Sequence, residues 1–148
     1  ICYKDVLAEG RLYLWKIIGA GLSSLTSSVS KQATSKLTQL ASKVIANMGA
    51  GKGPVYGTKV HSAFGKIANG MKIGKYTIRT EVSYLNGNIV KHGTKGSARI
   101  DAGLYNSKGE LVHVFDLKTG GARLTPQQVK HIQTQTQKQV PVTEIRGN

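Results

Sequence analysis

Residues 111–118 read LVHVFDLK, and this stretch is apolar on both faces of an extended chain. Such a run is typical of a central strand that is covered on both sides. A carboxylate near the end of so apolar a strand is costly unless it is paired or bound to a metal, which singles out Asp116. Asp116 and Lys118 are two residues apart, so we expect them on the same face of the strand, about 7 Å apart along it.

Further strands are predicted before this one. Residues 76–84 alternate between apolar and polar side chains, which predicts a half-buried strand with Ile78, Val82 and Tyr84 on one side. Asn86-Gly87 is a strong signal for a hairpin turn, and the two residues 89–90 predict a short return strand. Residues 97–105 predict the second main strand, which precedes the turn at 106–109.

Helices are predicted on either side of the three strands. Apolar residues at helical spacing between Val60 and Met71 predict the first helix. Thr125 as N-cap, Pro126 in the first turn and Gln128 as the third residue form a capping box that predicts the second. A last strand over residues 141–145 then implies at least one parallel pair. We therefore expect an α/β or α+β fold with a mixed central sheet.

The first part of the chain has a different character. Residues 1–48 carry apolar side chains at helical spacing, which predicts one or two amphipathic helices. The breaker cluster at 49–54 predicts a hinge, so we divide the chain into a helical N-terminal segment, 1–50, and a main domain, 51–148. Residues 12–28 lack the run of about 18 apolar residues that a membrane span needs. A packed helical layer and a membrane-contacting segment both remain open.

The charge of the chain predicts its partners. Lys and Arg number 21 against 7 Asp and Glu, a formal net charge of +14, which exceeds what solubility requires. An anionic partner is expected: nucleic acid first, then an anionic membrane or an acidic protein. The single cysteine, Cys2, excludes an intrachain disulfide and a cysteine-based metal site. The chain begins with Ile1 without a signal-peptide pattern, and we expect it to be a piece of a longer polypeptide.

Three of the seven carboxylates lie one on each predicted main strand: Glu81, Asp101 and Asp116. Carboxylates that converge at strand ends can hold Mg²⁺ or Mn²⁺ through oxygen ligands. Such a site suits phosphodiester hydrolysis, because the ion neutralises charge at the phosphate and activates a water. Asp101 and Asp116 are the predicted ligands and Glu81 a further one, directly or through water, while Lys118 stabilises the transition state. The alternative is a surface ion pair between Asp116 and Lys118, with Asp101 closing a turn.

Other residues are given smaller roles. Arg99 shares a strand face with Asp101 and is a candidate phosphate contact, and Lys95 with its glycine loop is another. Each has an equally simple reading, as a solvated side chain or as plain turn chemistry. We expect the remaining polar or aromatic candidates to cap a helix, lie on the surface or pack: Gln128, His131, His61, His113, Tyr84 and Tyr105.

Asp101 followed by Asp116-Leu117-Lys118, in a frame of helix, three strands, helix and strand, resembles the PD-(D/E)XK nuclease superfamily, which has a restriction-endonuclease-like fold. Ile100 stands where the family name has a proline. Within that superfamily, residues 57–146 look like the C-terminal toxin domains of bacterial contact-dependent growth inhibition and rearrangement-hotspot polymorphic proteins. The resemblance is carried by residues 57–61, 80–84, 93–101, 116–120 and 122–126.

The resemblance implies a metal-dependent nuclease toxin that is secreted or delivered from the cell surface and acts in the cytoplasm of a rival bacterium. Its target would be tRNA, with DNA close behind, and an acidic immunity protein would neutralise it. Thr119 and Arg123, which lie in matching segments, would contact nucleic acid. The N-terminal segment would serve delivery, with transient membrane contact. Two other functions stay open, namely a non-catalytic basic module that binds nucleic acid and a membrane-active toxin acting through residues 12–28.

Overall fold

One mixed β-sheet organises the chain in the computed structural model, which describes the backbone of residues 2–7, 12–17 and 24–147 and the side chains of residues 27–147. The strands are β1 (Cys2–Leu7), β2 (Leu12–Ile17), β3 (Lys72–Ile73), β4 (Tyr76–Leu85), β5 (Asn88–Val90), β6 (Ala98–Tyr105), β7 (Leu111–Leu117) and β8 (Val142–Ile145). Their order across the sheet is β1-β2-β8-β7-β6-β4-β3, with β5 paired to β4. The strands β7 and β8 are parallel, which confirms the predicted parallel pair.

Helices cover both faces of this sheet. The helices α1 (Ser24–Met48) and α2 (Gly53–Ala68) share one buried apolar cluster with the sheet, to which Leu37 and Phe64 contribute. The helix α3 (Pro126–Thr136) covers the other cluster through Val129 and Ile132. The predicted α+β class with a mixed sheet is confirmed at this level.

The N-terminal prediction needs correction. Residues 2–7 and 12–17 form the antiparallel strands β1 and β2 instead of a helix, and β2 pairs with β8 through Tyr13 and Val142. The pairing partner lies some 130 residues away, so local spacing could not reveal it. The helix α1 is present as predicted, and it packs on the sheet through Ala33, Leu37 and Ala41. The proposed boundary at residue 50 stays a prediction. Of the stretch 12–28, residues 18–23 lie outside the described residues, and no helix in the described part is long and apolar enough to span a membrane.

Local signals in the main domain are confirmed. Asn86 and Gly87 have φ of 50° and 84°, the left-handed values that a tight hairpin turn requires, and they connect β4 to β5. The Thr125 side chain accepts the backbone N–H of Gln128, whose own side chain accepts the backbone N–H of Thr125. The predicted hinge is shorter than expected, because α2 already begins at Gly53.

Strands β4 and β6 change faces half-way along. Ile78 of β4 and Ala102 of β6 belong to the cluster under α1 and α2. Val82 and its pairing partner Ile100 pack instead in the cluster under α3. Within each strand the two residues are an even number of positions apart, so a regular strand would place both on the same face. The predicted shared face of Ile78 and Val82 is therefore wrong.

The cause lies at Glu81, opposite Asp101. Glu81 has a φ of 57°, in the left-handed region that non-glycine residues seldom adopt. Strand pairing joins Thr80 to Ala102 and Val82 to Ile100 and skips the position between them. Thr80 donates to the carbonyl oxygen of Gly65 in α2, and the Glu81 side chain also lies against Gly65. Two successive residues thus face α2, which turns the carboxylate toward that helix.

A buried histidine ties α1 to the sheet. His113 of β7 stacks on Phe115, with ring centroids 4.5 Å apart. Its Nδ1 lies 3.0 Å from Ser30 Oγ and its Nε2 lies 2.7 Å from Thr143 Oγ1. Complete burial lowers the pKa of His113 to about 3. The prediction that His113 packs in the core is confirmed.

This histidine should make the protein sensitive to mild acid. Below the ordinary histidine pKa of about 6.5 the unfolded chain takes up a proton that the folded chain refuses, so stability should fall as pH drops from 6.5 toward 3, by at most ~1.4 kcal/mol per pH unit. Urea unfolding of the wild type and of His113→Gln between pH 7 and 4 measures this. The wild type should show the steeper decline, and parallel curves would contradict the assignment.

Candidate active site

A pocket of about 560 Å³ opens where the first turns of α2 approach the middle of β4, the start of β6 and the end of β7. The sequence predicted that three carboxylates from three strands meet near one lysine, and the structure brings them together here. Residues lining this pocket include Glu81, Asp101, Asp116, Lys118, Arg99 and His61. A second pocket of about 580 Å³ lies along α3, and no acidic residue lines it.

Asp101 replaces a missing rung of the sheet. Pairing of β6 with β7 reaches Ala102 and Phe115 and goes no further. Beyond that pair, Asp101 Oδ2 accepts the backbone N–H of Leu117 at 2.7 Å. A carboxylate that accepts a backbone N–H satisfies a donor that the sheet leaves open. The contact brings the end of β7 against Asp101, so Asp101 and Asp116 become neighbours.

Asp116 is the electrostatically strained member of the pair. Burial, followed by the nearby Asp101 carboxylate, raises the pKa of Asp116 to about 6, although Lys118 acts in the opposite direction. The Lys118 ammonium lies 3.0 Å from Asp116 Oδ2, so the two side chains share one face of the strand, as their spacing predicted. The contact is an ion pair at a buried carboxylate oxygen. Both side chains are mostly buried, so the alternative of a surface ion pair does not describe them.

Glu81 stands at the rim of the pocket. Its side chain is exposed, and it packs against the flank of α2 at Gly65, where a Cβ would lie 3.6 Å from its carboxyl carbon. A non-glycine residue in the left-handed region costs roughly 1–3 kcal/mol, and such residues are concentrated at functional sites. At Glu81 this strained backbone places a carboxylate at the pocket.

His61 is the site residue that sequence reasoning missed. It was expected to pack, but it lines the pocket, with Nδ1 2.8 Å from the Gly57 carbonyl oxygen and Nε2 2.7 Å from that of Leu117. Both ring nitrogens face acceptors, so both must carry hydrogen. The Asp101 carboxylate, 3.6 Å from Nε2, and these carbonyls raise the pKa of His61 to about 9 despite partial burial.

His61 could have been found from its spacing. Gly57 and Gly65 lie four residues before and after it, on the same side of α2. Only Gly57 is closely approached, because a Cβ at Gly65 would make ordinary contacts at 3.6 Å. A Cβ at Gly57 would lie 3.2 Å from Thr119 Oγ1, so the loop after β7 already touches the helix there.

The predicted phosphate contacts fare differently from one another. Arg99 is exposed in the pocket wall, with one guanidinium nitrogen 3.3 Å from His92 Nδ1. Lys95 is exposed in the loop 93–96. Backbone N–H groups of Thr94 and Ser97 in that region already donate to carbonyls, so they are not free to cradle a phosphate. Contact of Arg99 and Lys95 with nucleic acid stays a prediction.

Thr119 and Arg123 belong to a loop that is held from the far side of β7. Arg123 forms an ion pair with Glu144 at 3.0 Å, and Glu144 also accepts the backbone N–H of Leu124. Arg146 donates to the carbonyl oxygens of Gly120 and Ala122. Burial acts to raise the pKa of Glu144, but these hydrogen bonds and guanidinium groups outweigh it and hold the pKa below its usual range. Neither Thr119 nor Arg123 lines the pocket, and their contact with nucleic acid stays a prediction.

The smaller roles are largely as expected. Gln128 caps α3, and Tyr84 and Tyr105 are buried with their hydroxyl oxygens 2.6 Å apart. His131 is exposed, and its Nε2 lies 3.3 Å from the Ser97 carbonyl oxygen.

The pocket offers a divalent cation two carboxylate ligands, from Asp101 and Asp116. In the side chains described, no three His, Cys, Asp or Glu residues are placed to hold a metal together. Mg²⁺ does not need three, because it is held by one or two carboxylates and completes its shell with water and substrate phosphate. The two carboxylates repel each other, and burial together with this repulsion raises the pKa of Asp116. A cation between them would relieve that repulsion.

Comparison with known proteins adds no relative, since no family model, no curated protein and no solved structure matches this chain.

The strain at Glu81 gives a direct test of the geometry. Glu81→Gly and Glu81→Ala both remove the carboxylate, but only glycine adopts a φ of 57° without cost. We expect the glycine variant to be more stable than the alanine variant by ~1 kcal/mol. Chemical denaturation of both variants measures the difference. Equal stabilities would show that Glu81 is not held in the left-handed region.

Proposed function

We propose that this chain is a metal-dependent endonuclease that hydrolyses phosphodiester bonds. The observation that carries the proposal is the meeting of Asp101, Asp116 and Lys118 in one pocket, where burial and the Asp101 carboxylate raise the pKa of Asp116. Two repelling carboxylates are expensive in a buried place, and perturbed groups of this kind are concentrated at functional sites. A purely structural ion pair would need only one of the two.

The charge of the chain supports a polyanionic substrate. With +14 overall, the acidic pair is surrounded by a surface that attracts phosphate groups. Arg99 and Lys118 contribute cationic side chains to the pocket itself. The basic surface attracts a polynucleotide to the pocket. A metal ion bound by the two carboxylates would cancel their repulsion of the phosphate groups.

Each residue has a definite task in this scheme. Asp101 and Asp116 would hold Mg²⁺ or Mn²⁺, with Glu81 through a water, and the ion when bound supplies Lewis acidity and an activated water. Lys118, fixed by its ion pair with Asp116, faces the phosphate and stabilises the negative charge of the transition state. His61 holds Asp101 and the Leu117 carbonyl in place, and Arg99 binds an adjoining phosphate.

We further propose the biological setting that the sequence resemblance implies. The order α2, β4, β6, β7, α3, β8 supports a restriction-endonuclease-like core of the PD-(D/E)XK type. In that setting the chain is a toxin domain delivered from a bacterial surface into a rival cell, where it cleaves tRNA, with DNA as the second candidate substrate. An acidic immunity protein would cover the basic pocket, and electrostatic steering would make its association fast and sensitive to salt.

Carboxylate variants test the assignment of the site. Asp101→Asn and Asp116→Asn keep the shape of the side chains but remove the charge, so we expect cleavage to fall on the order of 10²–10³-fold. The matched control is Glu110→Gln, which alters an exposed carboxylate in the turn before β7. The assay follows total tRNA and plasmid DNA on gels with each purified protein. Undiminished cleavage by Asp116→Asn would refute the site.

Metal removal tests the chemistry separately. EDTA should abolish cleavage, and added Mg²⁺ or Mn²⁺ should restore it, because the carboxylate pair alone repels a phosphate. Gel assays at fixed ionic strength measure both steps. Cleavage that persists in EDTA would contradict metal dependence. A wild-type protein that shifts nucleic acid on a native gel and never cleaves it would instead be the non-catalytic binding module.

A further inference from the structure

Two lysines follow one side of α2, and a third lies just before the helix. Lys52 is the N-cap, with an extended backbone, and Lys59 and Lys66 lie in the second and last turns. All three side chains are exposed. The seven residues from Lys59 to Lys66 correspond to ~10 Å along the helix, and this spacing keeps the two side chains nearly in line. We call these three residues the α2 lysine row.

The row borders the candidate active site. The helix turns His61 and Ser62 toward the pocket and buries Val60 in the core. At 100° per residue, Lys59 and Lys66 follow Ser62 by roughly 40–60° around the helix axis, on the side away from the core. The row therefore runs along the outer rim of the pocket.

Within the described chain nothing acidic neutralises this row. The lysine and arginine ion pairs found there join Lys118 to Asp116, and Arg123 and Arg146 to Glu144. Three exposed ammonium groups without a carboxylate partner form a positively charged patch beside the pocket. Such a patch is complemented by a polyanion, and the aligned Lys59 and Lys66 suit one whose negative charges recur along a line.

We propose that the α2 lysine row binds the phosphate backbone of the nucleic-acid strand that flanks the scissile bond. The proposal rests on the nuclease function and adds a requirement on the substrate. Lys59 and Lys66 alone span ~10 Å, or about three stacked nucleotides at 3.4 Å for each, and Lys52 extends the row beyond the N-terminus of the helix. The preferred substrate is therefore a polynucleotide that extends well beyond the cleaved bond, and short oligonucleotides are poor substrates. Backbone contacts of this kind carry no information on base sequence.

A charge-matched pair of variants isolates the row. The test variant replaces Lys52, Lys59 and Lys66 by glutamine. The control replaces Lys31, Lys36 and Lys43 by glutamine, three exposed lysines of α1 that do not line the pocket. Both lose three positive charges, so a general effect of net charge is the same in both. Thermal unfolding of each full-length protein establishes that the substitutions leave the fold intact.

Binding is measured with the Asp116→Asn protein as background, using a 20-nucleotide single strand at several salt concentrations. The row variant should bind at least ~10-fold more weakly at 0.1 M salt, and its slope of log affinity against log salt should be smaller by ~2, since each lost phosphate contact removes about 0.7. The α1 control should keep the slope of the background protein. Equal losses in both triple variants, or no loss in the row variant, would overturn the proposal.

Cleavage separates this inference from the nuclease proposal. With active protein, kcat/KM for a 20-nucleotide strand should exceed that for a trinucleotide by at least ~10-fold, and the row variant should lose most of that advantage through KM. An advantage that survives in the row variant would contradict the row as a backbone site. If the wild type cleaves neither strand but the row variant still binds more weakly, the nuclease proposal fails and the binding surface stands.

Discussion

The hydrogen bond from the Leu117 backbone N–H to the Asp101 carboxylate is the contact on which the pocket depends. It closes the end of the β6–β7 ladder with a side chain instead of a backbone carbonyl. The strands are held together there, yet the Leu117 carbonyl remains available to His61. This contact places Asp116 next to Asp101. Lys118 comes directly after β7 and lies on the same face as Asp116. A single backbone-to-carboxylate bond thus positions a carboxylate pair, a lysine and an imidazolium.

Positive groups make this arrangement tolerable. Two adjacent carboxylates in a partly buried place are costly, and the raised pKa of Asp116 records that cost. The Lys118 ammonium and the doubly protonated His61 offset part of it, each through one carboxylate. The backbone strain at Glu81 adds a further cost nearby. Costs of this kind, concentrated in one small region, support the proposal of an active site there.

What the sequence could predict follows from the range of each interaction. The hairpin at Asn86-Gly87 and the capping box at Thr125 are local, and both are found as predicted. The approach of Glu81, Asp101 and Asp116 could be predicted because they lie on three successive main strands, which pair as neighbours in the sheet. The strands β1 and β2 could not, since their link to the sheet is a pairing with β8 at the opposite end of the chain. His61 was missed because its partners are a carbonyl and a carboxylate some 40 to 56 positions away. The change of face at Glu81 also needs the neighbouring strand, because alternation in one strand gives no sign of it.

The placement of β8 has a consequence for when the pocket comes into being. The backbone N–H of Lys118 donates to the Ile145 carbonyl at 2.9 Å, and Arg146 fixes the loop that follows Lys118. The parallel partner of β7 is therefore the last strand along the chain, and it can dock only after α3 has crossed the sheet. A polypeptide that emerges N-terminus first, from a ribosome or from a narrow channel, completes this pocket only after β8 has followed. Until then the strand that carries Asp116 has one open edge.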